Sequence, residues 1–287
     1  MKAEGPDRVL GSASRVDGGL RLVFDTGPNG DTRLRESWFC PPLHLSRAYR
    51  EAGWQLHLVT SPTAGLFAGD RIAIDCRVGA HAKVSLIGPA ASRVHGMQAC
   101  EQAQVSQHYQ VAGGAWLDAW SAPMILQQGA ALDQDLRVEV DAGGAALIAE
   151  VTYPGRPAHE TCFTFRHWRS RAKVFYDGTL VAFEQFLLRP GSGMEADWSA
   201  HFPGGPYASL HYLNGKPCQD CLEQLHALAI EGALIGASPF RVGGLGVKLL
   251  ACDGVALRHA FLEVRRVLMA HSGVCLPGAI QRAQTFF

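Results

Sequence analysis

Charge is scarce in this chain of 287 residues: 18% are charged, and 26 Lys and Arg are matched by 26 Asp and Glu, a formal net charge of zero. With no excess of either sign, the protein lacks the broad positive field that non-specific binding to phosphate backbones requires. No nucleic-acid partner is expected. Long hydrophobic runs are missing too, since nothing approaches the roughly 18 uninterrupted apolar residues of a membrane-crossing helix. The stretch from Met1 to Gly19 has no apolar segment of the signal-peptide kind. A cytoplasmic protein with no membrane partner is the expectation. The eight cysteines, Cys40, Cys76, Cys100, Cys162, Cys218, Cys221, Cys252 and Cys275, follow no framework spacing and read as reduced thiols. The common catalytic signatures are absent as well: there is no G-x-S-x-G, Walker A, H-E-x-x-H or G-x-G-x-x-G, and Gly243-Gly244-Leu245-Gly246 lacks the third glycine.

Hydrophobic residues, by contrast, make up 47%, with 32 Gly and 15 Pro, a composition that excludes disorder and describes a turn-rich chain with a sizeable core. So little charge over so much apolar content predicts poor solubility and a preference for a partner. Alternation of period two dominates the first two thirds. Ile72, Ile74, Cys76 and Val78 share one face of a strand over Arg71 to Val78. Val105, Tyr109 and Val111 alternate with Gln102, Gln104, Ser106, His108 and Gln110, and Leu136, Val138 and Val140 alternate with Asp135, Arg137, Glu139 and Asp141. Trp54 to Thr60 and Arg171 to Leu188 also read as strand, the latter broken at Asp177-Gly178, a hairpin signal. Val78-Gly79-Ala80, Val111-Ala112-Gly113 and Val140-Asp141-Ala142 each close one alternating strand and open another, which makes a weak internal repeat. A strand, a glycine-bearing corner and a strand recurring about every thirty residues predict a mainly β, helical-coil or solenoid-like body, with an ordinary β-sandwich as the alternative.

Near Arg189 the pattern changes to loop, through Pro190-Gly191-Ser192-Gly193 and His201 to Pro206. Beyond it the spacing predicts helices over Cys221 to Ile235 and Val255 to His271, the latter stopped by Gly273, with a strand between them over Phe240 to Cys252. The expected organisation is a single domain over residues 1–287: a β body at about 10–190, then a loop and a small helix, strand, helix element at about 191–287.

Residues able to carry chemistry are few. Cys218-Gln219-Asp220-Cys221 is the sole C-x-x-C, and His211 and His226 could complete four ligands, but no second pair of the right spacing is present, so coincidence outweighs a metal site. Asp70 follows Gly69 and Asp118 follows Trp116-Leu117; turn or cap roles are the common ones for such acids. Glu150 follows Ala145-Ala146-Leu147-Ile148-Ala149 in an apolar strand, where a carboxylate needs a partner or a wet cavity. Arg156, in Pro154-Gly155-Arg156-Pro157, is a candidate structural ion-pair partner.

Pro42-Leu43 to Arg47, Gly65-Leu66-Phe67-Ala68-Gly69-Asp70, Val78-Gly79-Ala80, Leu117-Asp118 with Pro123-Met124-Ile125, and Glu150 with Gly155-Arg156-Pro157 fall in an order that resembles the UreD (UreH) family of urease accessory proteins, over about residues 10 to 190. The resemblance implies a scaffold and not an enzyme. Its implied partners are apo-urease subunits, a UreF-type protein and a UreG-type GTPase; its implied cargo is transient nickel, with no tightly bound cofactor. A hydrated metal passage is implied, with Asp70, Asp118 and Glu150 matching acidic positions of the family; His95 and Glu160 join them as candidate stations. Three departures mark the chain as a divergent member whose metal passage is expected to be altered or lost. Ile87 to His95 replaces a Thr-Thr-Gln-bearing segment, Glu160 sits one residue from the family's acid after Gly-Arg-Pro, and Pro277-Gly278-Ala279-Ile280 replaces the usual ending. In a strand, that one-residue step would turn the acid to the other face. One rival reading is a metal-dependent or acid/base enzyme using Glu150, His159 and Glu160 near Arg156; another is an interaction protein without a metal role. Trp198, Phe202, Tyr207, Tyr212, Phe286 and Phe287 are candidate partner contacts, with core packing as their default role.

Overall fold

The structure, a computed structural model, describes residues 15–191, 194–202 and 204–283. Three alternating strands become three coils of a two-sheet body. The chain passes from Arg71–Val78 in one sheet to Lys83–Ile87 in the other, back through Ala103–Val111 to Trp116–Trp120, then through Ala131–Val140 to Ala145–Tyr153, and ends the coil at His167–Tyr176. Within each sheet these strands are parallel neighbours. The repeat read from sequence is the coil itself: Val78 stands beside Val111, and Val111 beside Val140. The glycine-bearing corners stack by backbone hydrogen bonds. Ala112 donates to Val78 and Asp141 to Val111, each at 2.9 Å, and Gly114 donates to Gly143 at 3.0 Å.

The first sheet has seven strands. Antiparallel strands flank its parallel core, with Thr179–Leu188 closing one side through the Asp177-Gly178 hairpin and Thr32–Cys40 the other. The second sheet continues past the coil through Tyr207–Leu213, Gly244–Ala251 and Ala233–Pro239, so the C-terminal third supplies strands as well as helices. Two apolar layers result. Leu22, Phe24, Val105, Val138 and Val174 meet Val84, Leu86, Leu117 and Ile148 between the sheets. On the outer face of the second sheet Trp116, Trp120, Leu147, Leu210 and Tyr212 meet Leu257, Phe261, Val264 and Leu268 of the helix Gly254–Ser272. A strand such as Ala145–Tyr153, buried on both faces, therefore reads as a near-continuous apolar run.

That long helix and its Gly273 stop are as the sequence predicts: Asp253 caps the start, accepting from Val255 and Ala256, and Gly273 takes the left-handed conformation at φ 74°. The other helix is shorter than its pattern. It spans Gln219–His226, and after Gly232 the chain becomes the strand Ala233–Pro239, where Ala233, Ile235 and Ala237 pack inward at period two. Over so short a window those residues satisfy both periods. The strands Asp17–Thr26, Thr32–Cys40 and Tyr207–Leu213 and the helix Met194–His201 were not predicted. Tyr212, a candidate partner contact with core packing as its default, is wholly buried in the core, and Trp198 and Tyr207 are half-buried in an aromatic group with Trp168. Phe202 is also half-buried, while Phe286 and Phe287 lie outside the described residues. Among the described residues no helix is long and apolar enough to cross a membrane.

Candidate functional site

Alternation decides which way the acidic candidates face. On Ala145–Tyr153, Leu147, Ala149 and Val151 pack under the helices, so Glu150 faces the space between the sheets with Ile148. On Trp116–Trp120 the same rule sends Asp118 the other way, with Trp116 and Trp120, towards the long helix. The two carboxylates therefore stand on opposite faces of one sheet and do not share a path.

Asp118 is fully buried, and four donors occupy its oxygens. Arg265 of the long helix gives two hydrogen bonds, at 2.7 and 2.6 Å, Ser85 gives one at 3.1 Å and the Trp120 indole one at 2.9 Å. Asp70 is also buried and saturated from the backbone: Val16 and Phe67 donate to its two oxygens at 3.0 and 2.8 Å, which fixes the Gly65 to Asp70 loop to the first strand. His95 grips that loop from outside, stacked on Phe67 at 4.4 Å and bonded to the Ala64 carbonyl at 2.9 Å. Glu160 is exposed, in a left-handed conformation at the end of the turn Pro157–His159 and not in a strand, so the face-flip expected of it does not arise. Arg156 is exposed beside His159 and makes no ion pair with Glu150; burial of Glu150 keeps them apart. The turn itself demands its glycine. Gly155 has φ 154°, and a Cβ there would lie 2.3 Å from the Thr161 carbonyl oxygen. Gly155→Ala is expected to cost about 2 kcal/mol or more in chemical denaturation.

Glu150 is the one candidate with unspent polar neighbours. Gln107, from the facing sheet, donates to it at 2.8 Å, and Gln107 in turn accepts from Tyr109 at 2.9 Å and Ser121 at 2.5 Å. Across the strand register Glu150 stands beside Ser209, and Ser209 beside Lys248. Lys248 donates to Ser209 at 2.6 Å and to Glu184, whose same oxygen lies 3.2 Å from His211 Nε2. Burial pushes Glu150 up to about 7, against the nearby Lys248 charge and the Gln107 hydrogen bond, which favour ionisation. Burial also opposes ionisation of Glu184, but the His211 hydrogen bond and the Lys248 ammonium prevail and hold it at about 2. Burial pushes the His211 imidazole below its ordinary value, against the Glu184 hydrogen bond. A carboxylate only accepts, so Nε2 donates to Glu184, and Nδ1 is buried with no hydrogen-bond partner among the described residues.

This row has an opening at each end. A cavity of about 70 Å³ between the sheets is mainly apolar, lined by residues such as Leu43, Leu86 and Val105, with Gln107, Tyr109, Ser121 and Gln134 and, from the substituted segment, Gly88 and Ser92 at its wall. A cleft of about 520 Å³ between the strands Thr179–Leu188 and Ala233–Pro239 is lined by Glu184, Lys248, Phe183, His226 and Phe240. The row can hold water, exchange a proton at Glu150 and offer oxygen and imidazole donors to a cation; among the described residues no three His, Cys, Asp or Glu side chains gather into a closed metal site. Cys218 and Cys221 are no part of it. They turn into the layer under the helices, where burial raises both thiols, Cys221 to about 11. Gln107, Glu184, Ser209 and Lys248 escaped the sequence reading. Their signal was a polar residue on an otherwise apolar face, as Gln107 is between Val105 and Tyr109.

A family model described as UreD urease accessory protein matches residues 16–280, carrying the likeness through the C-terminal third, beyond the motifs that end near residue 190. Relatives named Urease accessory protein UreD include that of Opitutus terrae, 32% identical over 83% of this chain and 89% of its own length. That of Acetivibrio thermocellus is 26% identical over 84% and 93%, and that of Nostoc punctiforme 29% identical over 91% and 94%.

Proposed function

The chain belongs to the UreD family of urease accessory proteins, and from that premise we propose that it is a non-catalytic cytoplasmic scaffold that binds apo-urease, recruits UreF-type and UreG-type partners and conducts nickel toward the urease active site. The observation that carries the nickel part is the set of interior polar side chains from Gln107 and Glu150 to Lys248, Glu184 and His211, with Gln107 at the inter-sheet cavity and Glu184 and Lys248 at the cleft. Cargo must be released as readily as it is held, and a borderline divalent ion is suited by isolated oxygen and imidazole donors, not by a closed four-ligand cage. Glu150, poised near neutrality, gives up a proton when a cation arrives and recovers it when the cation leaves. Asp70 and Asp118, with every oxygen engaged by the fold, act as anchors in this reading. Gly88 and Ser92 line the cavity, where the resemblance to the family implies larger polar side chains.

Co-expression of the tagged protein with urease subunits and UreF-type and UreG-type partners tests both parts, reading partner retention, nickel per urease and urease activity with nickel and bicarbonate. Glu150→Ala combined with Glu184→Gln is expected to keep the partners while lowering nickel content and activity about fivefold or more. Full nickel loading by the double variant would sink the relay and leave a scaffold. Failure of the folded wild-type protein to retain any partner would sink the assembly role.

A further inference from the structure

The strand Thr32–Cys40 ends the first sheet, and among the described residues no further strand pairs with it; only its ends are engaged, Thr32 donating to the Gly53 carbonyl and Cys40 accepting from Leu43. It also projects beyond the sandwich: every side chain from Arg35 to Phe39 is exposed. Trp38 and Phe39 are 54% and 48% exposed on successive positions, hence on opposite faces of the strand. Charged residues such as Arg33, Arg35 and Glu36 are the usual means of keeping an edge from pairing, but two neighbouring exposed aromatics do the reverse. Trp38 is held ready. Its ring lies over Gly19, where a Cβ would be 2.9 Å away, with the Arg21 guanidinium 5.9 Å from the ring centre.

The neighbouring margin of the second sheet continues this surface, since Thr32 bonds to the Gly53 carbonyl and brings the strand Tyr49–Glu51 alongside. Tyr49 is 53% exposed. Arg47 and Arg50 are exposed, and among the described residues no acidic side chain pairs with them. Glu51, the nearest acid, is engaged by the backbone N–H groups of Gly278 and Ala279. On a protein of zero formal charge, this margin therefore gathers unneutralised arginine around exposed aromatics and an open backbone row.

We propose that Thr32–Cys40 is a docking edge for an extended acidic segment of a partner protein, which adds a strand to the first sheet, packs apolar side chains on Trp38 and Phe39 and sets carboxylates against Arg47 and Arg50. The open row of N–H and C=O groups selects a polypeptide over a nucleic acid, which has no backbone to complete a β ladder. Apolar anchors at the centre and charge at the rim are the usual division of labour in an interface. This assignment builds on the assembly role above and names the kind of segment that role uses.

Two measurements test it. In the co-expressed complex, a photo-crosslinking benzoylphenylalanine replaces Trp38, Tyr49 or, on the far edge, Phe183. Adducts at the first two positions are expected, mapping to a segment rich in Asp and Glu; a complex that assembles with adducts only at position 183, or with a second copy of this chain at position 38, overturns the proposal. Independently of any complex, a fluorescein-labelled alternating Glu-Val dodecapeptide is titrated into the isolated protein. Binding is expected to weaken about tenfold in Trp38→Ala and in the Arg47→Glu, Arg50→Glu double variant, with unchanged circular dichroism. No binding below about 1 mM, or binding of oligo-dT in place of the peptide, overturns it. Loss of the complex with peptide binding intact would instead count against the assembly role.

Discussion

Arg265→Ala is expected to destabilise the protein by about 3–5 kcal/mol, a fall in Tm of about 6 °C or more. The cause is what stays behind. Asp118 is 0% exposed, and without the guanidinium its charge keeps only Ser85 and Trp120 as donors. The variant also loses the stacking of Arg265 on the Trp120 ring, 4.5 Å from its centre. Because this pair is the polar bolt between the long helix and the middle rung of the second sheet, the helix should loosen before the coil does. Replacing both partners, Asp118→Leu with Arg265→Met, should recover most of the loss, since two apolar groups need no compensation in that layer. Thermal and urea denaturation of the two single variants and the double variant check this; a Tm change below about 2 °C in Arg265→Ala would contradict it. Nickel transfer per folded molecule should be unchanged in the double variant, because Asp118 has no oxygen free for a cation.

This pair shows what a sequence can and cannot display. Local alternation made the coil legible: the corners at Gly79, Gly113 and Gly143 recur with the rungs, and Val78, Val111 and Val140 are register neighbours. Asp177-Gly178 and Gly273 were legible because left-handed backbone at a hairpin or a helix end restricts the residue that fills it. The pairing of Arg265 with Asp118 was not, since the two lie 147 residues apart and no local pattern links them. Likewise, Glu150 could be singled out as a carboxylate in an apolar strand, but its neighbours Gln107, Lys248 and Glu184 come from three other strands. The helix expected over Cys221 to Ile235 fails for a related reason: Gly232, at φ 73°, turns the chain so that Ile235 and Ala237 pack as strand. Sheet addition, a long-range event, outweighed a short helical period.

Glu150→Gln is expected to stabilise the protein at pH 8 by about 2–3 kcal/mol and to change it little at pH 5. Burial raises this carboxyl from 4.5 to about 7, so the folded state holds a proton that the unfolded chain releases. Between those values the native protein binds more protons than the unfolded one, and stability attributable to Glu150 falls as pH rises. The cost is absent below about pH 4.5 and complete above about pH 7, opposite in sense to an acid stabilised by an ion pair, such as Glu184. Glutamine keeps an oxygen to accept from Gln107 and never ionises, so the difference between variant and wild type isolates this one titration. The lowered histidines His57, His167 and His211, which oppose folding at low pH, cancel in the comparison. Denaturant midpoints from pH 5 to 8.5 would show the two stability curves diverging as pH rises; parallel curves would mean that Glu150 is ionised and solvated in the native protein. The same substitution should slow nickel loading of urease in the co-expressed complex, because a neutral amide cannot exchange a proton for a cation. A protein more stable yet less active in maturation is what a buried carboxylate kept for transport, and not for folding, would produce.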